Sequence, residues 1–224
     1  MKPWILLDTA PAFDDGRALC LYQHEADFSI RVHNVELMNS RMHGSEEALA
    51  RLACQEIIHE PRPRILIGGL GMGYTLRAAL DALPAKARVV VAELIPAVVA
   101  WNRGVIAGLA GHPVSDQRVT IHAADVGKMI KAAKGEYSAI LLDVDNGPDS
   151  LFCKSNDGLY NLKGLYGAYA ALKSRGVLAI WSAAPDVVFT RRLRSAGFGV
   201  EEVRVNARSG PKAGGHHWIW LARK

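Results

Sequence analysis

RILIGGLGMGYTLRAAL, Arg64 to Leu80, decides how this chain is read. Three apolar residues run into a loop holding Gly68, Gly69, Gly71 and Gly73, and a helix-like pattern follows at once. A short apolar run, a bare turn and a helix in that order open a β-α-β unit. Glycine permits positive φ and lets the backbone approach a ligand with no Cβ in the way. The spacing Gly69-x-Gly71-x-Gly73 is not the dinucleotide fingerprint, because Tyr74 or Leu76 takes its last position. No Lys-Ser/Thr follows, which excludes a phosphate-cradling P-loop.

Outward from that loop the chain alternates. Strand-like RVVVAEL, RVTIHAA, YSAILLDV and GVLAIWS are each followed by a helix-like segment: PAVVAWNRGVIAGL, VGKMIKAA, LYNLKGLYGAYAAL and a stretch around VVFTRRLRSAG. Such alternation predicts a parallel sheet with helices on both faces. VEEVRV and HHWIWLA close the chain with no helix between them, which implies an antiparallel addition at one edge. Upstream, SEEALARLACQEIIHE reads as a helix with Ser45 at its N-cap and two glutamates at the positive end of its dipole. The alternation from Arg17 to Met38 reads as a β-meander. The expected fold class is therefore α/β: a doubly wound, mostly parallel Rossmann-like sheet with an antiparallel last strand and a small N-terminal β-cap. The expected division is a cap over residues 1–44 and a sheet domain over 45–224.

Composition narrows the function. The 224 residues are 50 % hydrophobic and 22 % charged, the balance of an ordinary globular chain. A formal charge of +5 and a pI of about 9.2 favour anionic ligands, but fall well short of a dedicated nucleic-acid binder. TRRLRSAG, the densest basic run, reads as a solvated helix face. No apolar run reaches the ~18 residues that cross a bilayer, and MKPWILLDTAPAFDD lacks the apolar stretch of a signal peptide. Cys20, Cys54 and Cys153 form no CxxC pair, so neither a disulfide framework nor a cysteine zinc site is expected. His216 and His217 are adjacent and would face opposite sides of a strand, and no HxxxH or HExxH spacing occurs. The expectations are a cytoplasmic protein with no membrane segment, no metal and no nucleic-acid partner.

The acids at successive strand ends point to a ligand. Glu93 ends the second strand, where a carboxylate can accept hydrogen bonds from both hydroxyls of a ribose about 20 residues after the glycines. Asp125 follows the third strand in HAAD, placed to meet an adenine amino group. Asp143 ends the fourth in ILLDVDNGP, with Asp145 and Asn146 close behind. A lone carboxylate at such a place is usually a helix cap or a loop acid, and DVDNGP alone could be an Asx-type turn. Four strand ends in a row bearing glycine or acid read instead as a nucleoside site without a pyrophosphate.

The GxGxG loop, the acids after strands two and three and the antiparallel final strand resemble the class I S-adenosylmethionine-dependent methyltransferase fold. GGLGMGYTLRAAL resembles more closely the IGGGDGGTLRE of its spermidine synthase-like branch, and the likeness continues in outline from the cap to about Val205. By that resemblance Gly69, Gly71 and Gly73 would line the donor's aminoacyl or aminopropyl tail. Glu93 would hold the ribose and Asp125 the adenine. Asp143 would both border the donor and serve as the base, with Asp145 and Asn146 beside it in the catalytic loop. The donor would be S-adenosylmethionine or its decarboxylated form, and a homodimer would be in keeping with the branch.

Departures from the branch bear on the reaction. Met72 stands where its glycine loop carries an aspartate, and Asn146 where its DSSDP-type loop has a second one. ELMNSRMHGSEE, matched without gaps, puts Arg41 on a polyamine-binding acid. Arg41 and His43 would suit a small acceptor bearing a carboxylate or phosphate, with Tyr160 as a wall of its pocket. The sequence reading therefore favours a small-molecule methyltransferase using Asp143 as base. The alternatives are an aminopropyltransferase (spermidine synthase) and, from another class, a nucleic-acid-modifying or non-catalytic nucleoside-binding module.

Overall fold

The N-terminal segment forms four antiparallel strands, β1 (Ile5–Pro11), β2 (Ala18–His24), β3 (Asp27–Val32) and β4 (Val35–Asn39), in the order 1-2-3-4. The computed structural model describes residues 2–12, 16–33, 35–144, 157–208 and 214–224. Strand β1 adds to the meander expected from Arg17 onward, and its register with β2 shifts between Leu6 and Asp8.

The remainder alternates as the pattern predicts: α1 (Gly44–Glu56), β5 (Arg64–Gly68), α2 (Tyr74–Ala82), β6 (Arg88–Glu93), α3 (Pro96–Arg103), β7 (Val119–Ala123), α4 (Val126–Ala132), β8 (Tyr137–Leu142), α5 (Asp157–Tyr160), α6 (Leu162–Ala171), β9 (Leu172–Ser182), α7 (Val187–Ser195), β10 (Gly199–Asn206) and β11 (His216–Arg223). Seven of these strands form one sheet in the order β10-β11-β9-β8-β5-β6-β7. Strands β5 to β9 pair in parallel, while β11 runs antiparallel to both β9 and β10. The last strand is therefore inserted one place in from the edge, and β10 is outermost. From β5 the chain winds outward through β6 to β7, then restarts at β8 on the other side. That reversal opens a crevice between the carboxyl ends of β5 and β8, where sheets of this kind bind ligands.

The central strands β5, β6 and β8 are buried on both faces, which is why they read as apolar runs, while the outer strands β7 and β10 are largely exposed. Ile65, Ile67, Val89, Val91 and Leu141 pack into one core with α1, α2 and α3, and with Leu19, Leu21, Ile30 and Val32 of the small sheet. Leu66, Val90, Ile140, Leu142 and Trp220 point the other way, into a core covered by α4, α6 and α7. The N-terminal strands thus share a core with one face of the large sheet.

Helix boundaries differ from the sequence pattern at three points. Helix α1 begins at Gly44, whose N–H donates to Ala207 O at 3.0 Å, so His43 and not Ser45 takes the cap position. Ser45 lies inside the helix with its hydroxyl turned elsewhere. Gly104 stops α3 after Arg103, and GVIAGL continues as turns. LYNLKGLYGAYAAL divides at Asn161, whose Oδ1 accepts from Gly164 N at 2.9 Å and caps α6. No helix among the described residues is long and apolar enough to cross a membrane.

Asp186 caps α7, accepting from Val188 N at 2.8 Å and Phe189 N at 2.9 Å. The helix carries Phe189 and Leu193 into the second core. Asp186→Ala is expected to lower stability by about 1 kcal/mol, read as a shift of the urea midpoint with an unchanged slope.

Candidate functional site

Three backbone positions of the glycine loop lie at positive φ: Gly69 at 86°, Gly71 at 52° and Gly73 at 87°. A side chain is excluded at each for a different reason. A Cβ on Gly69 would stand 2.4 Å from the backbone oxygen of Asp143, and one on Gly73 would stand 2.9 Å from Asn102 Oδ1. At Gly71 it would meet Met38 Cε, a flexible tip from β4, at 2.7 Å. Of the three, Gly71 lines the cavity at the strand ends. The loop is bare at Gly69 and Gly73 so that the chain can close on itself, and at Gly71 where it faces the cavity.

Glu93 holds this loop in place. Its Oε2 accepts from Leu70 N at 2.9 Å and its Oε1 from Ile95 N at 2.8 Å. The residue is buried, and desolvation raises its pKa against the lowering effect of those backbone N–H groups. Asn102, buried on α3, donates to Gly71 O at 2.7 Å and to Val98 O at 2.9 Å. Asp125 caps α4, its Oδ1 accepting from Gly127 N at 2.7 Å. It also lines the cavity.

The end of β8 brings a second carboxylate to an acid that sequence reading passed over. Asp143 accepts from Thr75 Oγ1 at 2.5 Å on its Oδ2 and is partly open to the cavity. Glu46, in the first turn of α1, is buried beside it. Burial pushes the Asp143 carboxyl up to about 6, against the Thr75 hydrogen bond, which lowers it. Burial and then the charge of Asp143 push Glu46 up to about 8. Two carboxylates sharing one desolvated space cannot both ionise cheaply, so the pair favours holding a proton. Glu46 Oε2 accepts from Ser45 Oγ at 2.7 Å, and Ser45 Oγ lies 2.8 Å from Nδ1 of His217 on β11. The His217 ring stands edge-on to Trp181, with centroids 4.7 Å apart.

These groups surround a cavity of about 430 Å³, large enough for a nucleoside-sized ligand. Its acids are Glu36, Glu46, Glu93, Asp125 and Asp143. Among the described lining residues there is no Lys or Arg, and His217 is the one side chain that can become cationic. Met38 and Met42 add flexible apolar wall from the N-terminal side.

Arg41, His43 and Tyr160 stand outside the described lining of this cavity. Arg41 is exposed and faces Asp27 at 3.7 Å. His43 stacks on Tyr74, with centroids 4.1 Å apart and planes 13° from parallel, and its Nδ1 lies 2.7 Å from Glu47 Oε1. Tyr160 is buried against Phe189, and its hydroxyl donates to Val144 O at 3.5 Å. Asp145 and Asn146 lie outside the described residues.

Glu46, Ser45, His217, Thr75 and Asn102 were not read from the sequence as site residues. Ser45 and His217 meet across 172 positions of chain, and no local pattern marks such a meeting. A weaker signal existed for Glu46: an acid in the first turn of a helix that the fold must pack near the glycine loop.

Among solved structures the fold is that of spermidine synthases and class I methyltransferases. A spermidine synthase in complex with the transition-state analogue AdoDATO superposes with a TM-score of 0.74 at 18 % identity, covering 97 % of this chain and 72 % of its own. Spermidine synthase from Thermotoga maritima gives a TM-score of 0.75 at 17 % identity with the same coverage. Human methyltransferase-like protein 13, in complex with SAH, gives 0.56 at 18 % identity over 80 % of this chain and 78 % of its own. The sequence matches no protein-family model and no curated protein. What is shared is the fold, and the match to the two spermidine synthases covers 97 % of this chain, so it takes in the N-terminal sheet as well as the large one.

Proposed function

We propose that the cavity binds a nucleoside sulfonium of the S-adenosylmethionine type and transfers one of its carbon groups to an amine. The carrying observation is the charge of the lining: five carboxylates, no Lys or Arg among the described residues, at the point where strand order reverses. A sulfonium and an ammonium are both cations, and such walls suit both. In this reading Glu93 binds the ribose, Asp125 the adenine, and the backbone around Gly71 borders the donor's tail. The donor supplies an alkyl carbon with a neutral thioether as leaving group. The protein holds the nitrogen nucleophile in line and takes up its proton. Asp143 suits that last task because its raised pKa makes it a stronger base than an ordinary aspartate.

Two donated groups compete, and a specific observation favours each. A donor carboxylate would find no Lys or Arg among the described lining residues, which favours the decarboxylated donor and aminopropyl transfer. The spermidine synthase structures support the same reading. Met72 favours methyl transfer: it is buried in the first core, so the glycine loop offers no acid to a donor's terminal amine. The anionic acceptor suggested by Arg41 gives way to an amine, because Arg41 faces Asp27 and the acids face the cavity.

Calorimetric titration with S-adenosylmethionine and its decarboxylated form, side by side, separates these readings. Tighter binding of the decarboxylated donor is expected. Glu93→Ala should weaken it by about 10- to 100-fold, the worth of hydrogen bonds to a charged group. Since Glu93 also holds Leu70 and Ile95, Glu93→Gln serves as the variant that keeps the shape. Preference for S-adenosylmethionine would establish methyl transfer as the reading to pursue. Binding of neither would overturn the cofactor assignment and leave only the fold.

A further inference from the structure

We infer that Ser45 and His217 form the outlet by which a proton delivered to the Glu46 and Asp143 pair leaves the filled cavity. This rests on the amine-acceptor reading given above. An ammonium acceptor must lose a proton for its nitrogen to attack, and a cavity filled by two substrates leaves little water beside the carboxylates.

The geometry supplies a continuous path. Ser45 Oγ is within hydrogen-bond distance of Glu46 Oε2 on one side and His217 Nδ1 on the other, at 2.7 Å and 2.8 Å. Glu46 reaches the pair from α1, Asp143 from the end of β8, and Thr75 from α2 fixes Asp143. His217 comes from β11, is half-buried, and packs against Trp181 with its ring plane at 73° to the indole. In the step, an N–H bond of the acceptor breaks and its proton passes to the carboxylate pair. Protonated Glu46 then donates to Ser45 Oγ as that hydroxyl gives its own proton to His217 Nδ1. The imidazolium releases its Nε2 proton to solvent, and exchange with solvent resets the tautomer. Charge and protons balance without any further reactant.

The groups facing this line are few. Glu46 feels the charges of Asp143 and of Glu47 beside it on α1, and in turn acts on Tyr74 of α2, while His217 feels His216, its neighbour in β11, through its charge. Burial and His216 lower the His217 pKa, so the ring rests neutral and able to accept. Ser45 and His217 act through Glu46 and are positioning residues in that sense.

The test uses the full chain with the decarboxylated donor and 1,4-diaminobutane, together with ring ¹⁵N spectra of the ligand-free protein. His217→Gln is expected to lower kcat by about 10- to 100-fold with a smaller change in KM. Added imidazole should restore part of the rate, which a merely structural role would not allow. In the spectra, the His217 titration should move in Glu46→Gln and in Ser45→Ala. Should His217→Gln fail to fold, Ser45→Ala cuts the same line and carries the same expectation. Wild-type turnover in that variant, or an unmoved His217 titration in Glu46→Gln, would overturn the outlet. Failure of the wild type to bind either donor would overturn the transferase reading instead. The ring spectra, which need no ligand, would still decide whether His217 is wired to Glu46.

Discussion

Asp143→Asn is expected to reduce kcat by about 10²- to 10⁴-fold, the contribution of a positioned general base, with a smaller effect on donor affinity. Asparagine keeps the shape of the side chain and can still accept from Thr75 Oγ1, now 2.5 Å from Asp143 Oδ2. What it loses is the ability to take a proton. The measurement is steady-state kinetics beside calorimetric donor binding on one preparation. A kcat within threefold of wild type would remove Asp143 from the chemistry and direct attention to Glu46.

The same substitution has a signature that needs no substrate. Folding raises Asp143 from 3.8 to about 6 and Glu46 from 4.5 to about 8, so across this range the native state binds more protons than the unfolded one. Stability then falls as pH rises. The contribution is fully present below about pH 4 and is lost as pH climbs through 6 and then 8. Asp143→Asn removes one titration directly. It also removes the charge that helps raise Glu46, so the variant's stability should vary less between pH 4 and 8 than the wild type's. Parallel curves from urea unfolding at several pH values would show that folding does not raise the Asp143 carboxyl.

Sequence made the sheet legible because its central strands are short apolar runs that end at glycine or acid, and two-sided burial leaves that mark directly. Glu93, Asp125 and Asp143 were legible for a related reason. A strand's end is a local event, and parallel winding brings neighbouring ends together without further information. The wall around Glu46 and His217 obeys a different logic. It is built from α1 and β11, which reach the crevice from opposite ends of the chain, and only tertiary packing sets which residue of each turns inward. Gly44, tied to Ala207, starts α1 two residues before the position that the Ser45 cap implies. That shift turns Ser45 toward His217 and Glu46 toward Asp143, while Arg41 stays outside against Asp27. An ungapped match to a family motif could assign charges to these positions but not facings. Arg41 is accordingly absent from the described lining of the cavity, and Glu46 carries no local mark in the sequence of which way it faces.

The glycine loop offers the sharpest test of how this site is held. Gly69→Ala is expected to destabilise the protein by about 2–5 kcal/mol, the sum of a left-handed conformation at a residue with a Cβ and overpacking against fixed atoms. The atoms are fixed because they are backbone. Gly69 N donates to Ala92 O at 2.9 Å and Asp143 N donates to Gly68 O at 3.0 Å, so the loop is laced to β6 on one side and β8 on the other. A Cβ aimed 2.4 Å from Asp143 O can be relieved only by parting those strands, which also displaces the Asp143 side chain. Gly71→Ala is the control. It shares the positive φ, but its Cβ meets only the tip of Met38, which can swing aside. It should cost about 1–2 kcal/mol, from conformation alone. Thermal and urea unfolding of the two variants measure the difference. Equal destabilisation would mean that the bare loop answers only to backbone conformation. A larger loss at Gly69 would mean that its missing side chain is what lets the ends of β5 and β8 close together, setting Asp143 at the edge of the cavity.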